Sequence, residues 1–306
     1  MNKKVKKILS ALFLLISSNA FATVYDLPAK NQSLVGEMKY NAAELDDTIV
    51  TVAKRYDVGF NAVENANPDL NIKRGFAPGT PLAIPTEHLL PNRARRGIVI
   101  NLPEMRLYYY PAGSHEVYTY PIGIGKIGKT IPIKQAYVTR KTKNPTWTPP
   151  ADIREFNMQQ GIVLPKIMPA GPDNPLGPYA IYTSLPTYLI HSTIFPESIG
   201  TRASFGCIRM YENDIESFYP FAQRGIPIAI INTPIKIGWQ NDRLYMESHE
   251  PLEEHGNAFD ASLPGVVHEI TTTTQQPTLI DWELVSYLAK TKDGIPHEVG
   301  IRLPQS

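Results

Sequence analysis

Between residues 143 and 178 stand Pro145, Pro149, Pro150, Pro165, Pro169, Pro172, Pro175 and Pro178. Proline fixes φ, has no N–H to donate and clashes with the preceding helical turn, so this stretch is excluded from regular helix and central strand. It is expected to be a long, stiffened surface loop. Long loops on a rigid scaffold often close over active sites, and Trp147 with its apolar neighbours would then face a substrate.

On both sides of that loop the chain is rich in β-branched and aromatic residues. Runs at 97–102, 107–110, 116–122 and 135–140 precede it, and runs at 179–183, 188–191 and 226–231 follow, separated by Gly and Pro. Many strands and little helix predict a mainly β fold, a sandwich or barrel-like core over 97–232.

Residues 38–85 read differently. Asp46-Asp47-Thr48 is a helix-start signal, and Ile49, Val52, Ala53 and Tyr56 share one helical face. Phe60, Val63 and Ala66 give a second short helix, broken at Asn67-Pro68. After a turn at Pro78-Gly79, Leu82 and Ile84 alternate as in a strand. A small α+β unit in the order βααβ is expected. Residues 86–96, with Arg93-Ala94-Arg95-Arg96, read as a solvated linker. Residues 233–306 are a C-terminal extension without assigned chemistry. In it Thr271–Gln276 is polar, and Thr278 is expected to cap a helix bearing Ile280, Leu284, Tyr287 and Leu288.

The first residues carry Lys3, Lys4, Lys6 and Lys7, then an apolar run from Ile8 to Ile16, then Ala20-Phe21-Ala22. This is the layout of a secretory signal cleaved after Ala22. The run is well short of the ~20 residues that span a bilayer, so no transmembrane anchor is expected. With no cysteine near the cut, a lipid anchor is not expected either. Export to the periplasm follows. Removing the four lysines leaves 26 basic against 29 acidic side chains, a net charge near −3 that gives no reason to expect nucleic acid as a partner.

Residues 123–130, Gly-Ile-Gly-Lys-Ile-Gly-Lys-Thr, satisfy a phosphate-loop pattern. Pro132 and the strand-like alternation after it exclude the helix whose N-terminus would bind phosphate, so a glycine-rich turn between strands is expected, with no nucleotide.

An exported chain normally uses cysteine in pairs, yet Cys207 is alone. It is either an inert buried residue or a reactive thiol. A thiol is only slightly ionised at neutral pH, so a reactive one needs a base. His191, ending an apolar strand 16 residues earlier, is the candidate. His88, His115, His249, His255, His268 and His297 lie in no comparable setting, and none has zinc-like spacing with Cys207. Gly206 lets backbone approach a substrate, so the amides of Gly206 and Cys207 are expected to face an oxyanion. Asn213 with Glu216 forms a capping-box pattern for a helix bearing Ile215 and Phe218.

His191, Ser204, Gly206, Cys207, Ile208 and Arg209 resemble the signature of the YkuD-type L,D-transpeptidases, a histidine followed by Ser/Thr-His-Gly-Cys. Residues 144–150 and 170–177 resemble segments of its Gram-negative ErfK/YbiS-like branch. Phe205 stands where the family usually has histidine, and Ser192 where it usually has the glycine whose carbonyl orients the base. Residues 38–85 resemble a LysM domain, which binds N-acetylglucosamine-containing glycan, although Asp46 replaces the usual glycine. The resemblance implies that Cys207 attacks a stem tetrapeptide of peptidoglycan and releases D-Ala. His191 moves the proton, and an amine of diaminopimelate or of an outer-membrane lipoprotein lysine resolves the thioester. Arg209, Ser204 and Trp147 are expected at the substrate, with no cofactor and no metal. A hydrolase or carboxypeptidase on the same scaffold, and a non-catalytic peptidoglycan-binding protein, remain alternatives.

Overall fold

The computed structural model describes residues 23–71, 75–252, 254 and 262–304. The expected secretory signal, residues 1–22, lies outside the described residues.

The chain opens with β1 (Thr23–Asp26), β2 (Leu34–Gly36) and β3 (Lys39–Ala42). Two helices follow, α1 (Ile49–Arg55) and α2 (Phe60–Ala66), then β4 (Pro81–Ile84) and β5 (Glu87–Leu89). Thr48 caps α1 as its sequence predicts, in a capping box completed by Thr51. β3 pairs antiparallel with β4, giving the expected βααβ order around a core of Val52, Val58, Val63 and Ile84. Asn67 ties the end of α2 to β4: its amide donates to the carbonyls of Val63 and Ala83 and accepts from the Ala83 N–H.

Residues 86–96 are not a free linker. β5 pairs with β2, and the Arg95 guanidinium donates to the carbonyls of Pro28, Ala29 and Gln32. Carbonyls lacking a ladder partner recruit the arginine, and so fix the segment that composition alone marks as solvated.

Next come β6 (Gly97–Asn101), β7 (Arg106–Tyr110), β8 (Glu116–Pro121), β9 (Ile124–Gly125) and β10 (Gln135–Lys143). Helix α3 (Ala151–Gln159) lies inside the proline-rich stretch, against expectation. Pro149 and Pro150 immediately precede it, where their missing N–H groups cost nothing, and no proline falls between 151 and 164. The chain continues through β11 (Tyr179–Thr183), β12 (Leu189–Ser192), β13 (Arg202–Ser204), β14 (Ile208–Met210), α4 (Glu212–Phe218) and β15 (Pro227–Ile231).

The main sheet has the order β1-β8-β7-β6-β15-β10-β11-β12-β14. One face buries Ile98, Ile100, Tyr120, Ile190, Ile208 and Phe218; the other packs Val99, Tyr108 and Ile231 against Val35 and Leu90. The protein is mainly β, with these two cores on either side of the sheet. α4 is not started by Asn213: Tyr211 is its N-cap with no side-chain bond, and Glu216 instead accepts from the Tyr179 hydroxyl at 2.7 Å.

Beyond the main sheet, β16 (Ile235–Gln240), β17 (Arg243–Ser248), α5 (Leu263–Thr273), β18 (Thr278–Ile280), α6 (Trp282–Thr291) and β19 (His297–Arg302) form a further unit. It has a four-stranded sheet and its own core of Leu244, Val266, Val285 and Leu288. Thr271 to Thr273 belong to α5. Thr278 opens a strand rather than a helix, because Asp281 caps α6 by accepting from the Leu284 N–H.

The βααβ unit docks on the segment joining β12 to β14. The N–H of Phe60 donates to the Ile199 carbonyl, and the Tyr211 hydroxyl donates to the Val58 carbonyl. Gly59 and Gly200 touch so closely that a Cβ on Gly59 would sit 2.7 Å from the Gly200 Cα.

Candidate active site

β12 and β14 run parallel, with Ile190 opposite Ile208 and His191 opposite Arg209. Side chains alternate along a strand, and Ile190 and Ile208 are fully buried in the core. His191 and Arg209 therefore share the opposite face, and Cys207 immediately precedes β14, two residues before Arg209. Strand register sets His191 beside Arg209, with Cys207 at the entry to the adjacent strand.

The His191 Nδ1 lies 2.5 Å from the Ser192 carbonyl oxygen. A carbonyl only accepts, so Nδ1 carries the proton and Nε2 the lone pair of the neutral ring. Ser192 is itself locked. Its hydroxyl donates to the Leu176 carbonyl at 2.9 Å and accepts the Tyr179 N–H at 3.1 Å. A Cβ on Gly177 would lie 2.5 Å from the Ser192 hydroxyl, so Gly177 makes the room that a serine at 192 requires.

Burial, and then the Arg209 guanidinium, push His191 down to about 4, against hydrogen bonds to the Ser192 and Leu176 carbonyls. Burial pushes the Cys207 thiol up, opposed by a backbone hydrogen bond at Leu189 and by Arg209. The resting pair is a neutral imidazole and a thiol, and the thiol donates to the Thr187 carbonyl at 3.6 Å. Such a pair can act by general-base activation when substrate arrives.

Two expected roles change. The Gly206 N–H is occupied: it donates to the Ser204 hydroxyl at 3.1 Å, and that hydroxyl donates to the Cys207 carbonyl at 2.6 Å. Ser204, 2% exposed, braces the turn before Cys207 from inside and presents no group to a substrate. Gly206 is needed for its φ of 111° and because a Cβ there would meet the Lys129 carbonyl and the Tyr188 ring, both at 2.8 Å.

Arg209 is half-buried opposite His191, with its guanidinium 5.8 Å from the Phe195 ring and its Nε buried without a partner among the described residues. Trp147 is half-buried and exchanges backbone hydrogen bonds with Met168, which holds the proline-rich loop in a local hairpin.

The glycine-rich segment 123–130 forms one wall of the site, a placement its motif does not reveal. β9 pairs with β13, Gly123 bridges Arg209, and the Lys126 N–H donates to the Ser204 carbonyl. A Cβ on Gly123 or Gly125 would collide with backbone carbonyls at 2.3 and 2.2 Å, which explains the glycines without a phosphate. Phe205 meets Phe156 of α3 edge-on at 5.2 Å, and the Lys126 ammonium sits 3.8 Å and 4.0 Å from the two ring centres. Lys129 pairs with Asp152 at 2.7 Å. Phe205 thus clamps the loop helix onto the turn before Cys207.

Far from Cys207, His88, Glu104 and Glu247 converge closely enough to suggest a metal centre. Their charge is met by the buried Lys236 ammonium, 2.7 Å from Glu104 and 2.8 Å from Glu247, with His249 at 2.7 Å from Glu247. With an ammonium between the carboxylates, the cluster is an ion-pair network.

The L,D-transpeptidase catalytic domain, YkuD, matches residues 95–237. Among curated relatives, a probable L,D-transpeptidase, YcfS, of Escherichia coli is 39% identical over 92% of this chain and 89% of its own length. The probable L,D-transpeptidases ErfK/SrfK of Salmonella typhimurium and YbiS of Escherichia coli are each 36% identical, over 95% and 97% of this chain and 96% and 99% of theirs. With His191 on β12 and Cys207 just before the adjacent β14, both inside the matched region, the chain belongs to the YkuD family of L,D-transpeptidases, cysteine-dependent acyltransferases.

Proposed function

We propose that Cys207 is the acylated nucleophile and His191 its base in transfer of a peptidoglycan stem tetrapeptide. The observation that carries this is their placement at two adjacent parallel strands, His191 on β12 and Cys207 immediately before β14, with the imidazole tautomer fixed by Ser192. Nε2 takes the thiol proton as sulfur attacks the carbonyl of the third stem residue. The C–N bond to D-Ala then breaks and the proton passes to the leaving amine. An amine of diaminopimelate or of a lipoprotein lysine then attacks the thioester and returns the sulfur as thiol. The Cys207 N–H is the oxyanion donor in this scheme, since Gly206 is already engaged. Arg209, with a buried Nε still to be satisfied, receives a substrate carboxylate. Trp147 faces substrate only once the loop closes.

The βααβ unit is read as a LysM-like glycan-binding domain over 38–85, followed by the catalytic domain over 97–232. Its exposed Tyr40 and Leu45 offer apolar surface to sugar rings. No described helix is long and apolar enough to cross a membrane. The lysine-led apolar N-terminus supports export to the periplasm, where peptidoglycan is found.

Intact-mass measurement after exposure to stem tetrapeptide or a carbapenem tests the chemistry. The native protein is expected to gain a covalent adduct that Cys207→Ala lacks. Absence of an adduct on the native protein would favour the non-catalytic binding reading, and muropeptide analysis then separates transfer to an amine from hydrolysis.

A further inference from the structure

Behind the nucleophile strand, at the seam between the βααβ unit and the main sheet, two carboxyl groups are buried against each other. Asp57, in the turn between α1 and α2 with φ 54°, is 7% exposed; Asp214, in the first turn of α4, is 3% exposed. They lie in hydrogen-bonding contact. Asp57 Oδ1 and Asp214 Oδ2 have no donor among the described residues. Arg106 faces them from β7 but also lies 4.0 Å from Glu104 and donates to Thr119; Lys54 acts on Asp214 from α1. Tyr120 and Tyr211, which also face the pair, are neutral. Burial pushes both carboxyls up; the Asp57 charge and contact add to the rise at Asp214, far above the usual range, while the same contact, with Arg106 and Thr23, pulls Asp57 back, so the pair holds a proton where a further cation would be better placed.

The group closest to supplying that cation is the backbone nitrogen of Thr23. It lies 3.2 Å from Asp57 Oδ2, and the Thr23 hydroxyl donates to the same oxygen at 2.8 Å. Strand pairing of Thr23 with Thr119 fixes its position at the sheet edge. As a peptide nitrogen it offers one hydrogen and no charge. As a chain terminus it would offer three hydrogens and a full positive charge.

We propose that the Asp57–Asp214 pair is the receptor for the chain's own processed N-terminus, an α-ammonium at Thr23 created when the Ala22–Thr23 bond is cut. This rests on the reading that export ends with cleavage after Ala22. A peptidase of the export machinery adds water across the bond: the Ala22 carbonyl carbon gains the hydroxyl and becomes a carboxylic acid, and the Thr23 nitrogen gains the hydrogen. At neutral pH that amine, with an ordinary pKa of about 8, takes a second proton. The ion pair ties three elements at one buried point: the edge strand β1, the turn of the βααβ unit and the helix that follows the nucleophile strand. Removal of the signal thus completes the joint between glycan-binding and catalytic parts.

The test has two arms. N-terminal sequencing of the exported protein is expected to return Thr23 first; any other first residue overturns the processing step, without touching adduct formation at Cys207. In the second arm the full mature chain is made to begin at Thr23 or at Ala22, which moves the ammonium by about 3.8 Å. The Thr23 amine is expected to react with acetic anhydride at pH 8 at least about tenfold more slowly than in the urea-unfolded chain. The Ala22 form is expected to melt about 5 °C lower. Asp57→Asn with Asp214→Asn, or Asp214→Asn alone if the pair does not fold, is expected to restore fast acetylation and remove the difference in melting. Equal labelling of folded and unfolded Thr23 chains, or equal melting of the two starts, would overturn the pairing.

Discussion

His191 is held neutral by its surroundings, and that has a sign in both activity and stability. With the folded histidine near 4 and an unfolded one near 6.5, only the unfolded chain gains a proton between those values. Stability is therefore full above pH 6.5 and falls as pH drops toward 4, by about 3 kcal/mol from this residue. Buried His88, also pushed well down, adds to the same slope. Urea midpoints at pH 7 and pH 4.5 are expected to converge partway in His191→Gln. Because Cys207 is raised, iodoacetamide alkylation of it is expected to climb steadily from pH 7 to pH 9; a rate already level at pH 6 would mean a resting thiolate, contrary to the neutral pair described above. At Gly206 an alanine would have to adopt φ 111° and displace the Lys129 carbonyl. Gly206→Ala is expected to slow acylation about 10²-fold through misplacement of the sulfur, with the fold retained by circular dichroism.

Among elements, α3 depends on Phe205. The edge-on contact with Phe156 contributes about 0.5–1.5 kcal/mol and the shared lysine about 0.5–1 more, so Phe205→Ala is expected to raise hydrogen exchange across 151–159 about tenfold. Exchange unchanged from the native protein would show that Lys129–Asp152 alone holds the helix. The same helix marks a limit of sequence reasoning. Counting prolines excluded helix from the whole stretch, but proline forbids helix only after its own first turn, and the gap from 151 to 164 was wide enough. The strands at 97–101, 106–110, 179–183 and 227–231 were legible because β-branched and aromatic runs are bounded by Gly and Pro. Those of 235–248 were missed although Ile235, Ile237, Trp239, Leu244 and Met246 are apolar. The Asn213 cap failed because Glu216 had a better partner in Tyr179, which only tertiary structure reveals. Chemistry and spacing offer Cys207 and His191 as candidates but leave an inert and a reactive thiol equally open; only the resemblance to the family signature separates them. The bracing role of Ser204 was not readable, since an inward and an outward hydroxyl look alike in sequence.

Across the whole molecule, the parts are joined by buried polar groups as well as apolar faces. Lys236, from the C-terminal unit, neutralises Glu104 of the main sheet's β6–β7 turn and donates to the Leu89 carbonyl of β5, while Glu247 accepts the Leu89 N–H. Lys236→Met leaves two buried carboxylates without their cation, which is expected to cost about 3–5 kcal/mol. Differential scanning calorimetry is expected to show one transition in the native protein and an earlier, separate melting of 235–302 in the variant. A single unshifted transition would mean that the network contributes little. The Gly59–Gly200 contact sets a different limit. Backbone lies on backbone there, with space for hydrogen alone, so the N-terminal unit is no interchangeable bead. A chimera that borrows such a unit from a relative must bring glycine at both places, or the graft will stand off from the enzyme by the width of a methyl group.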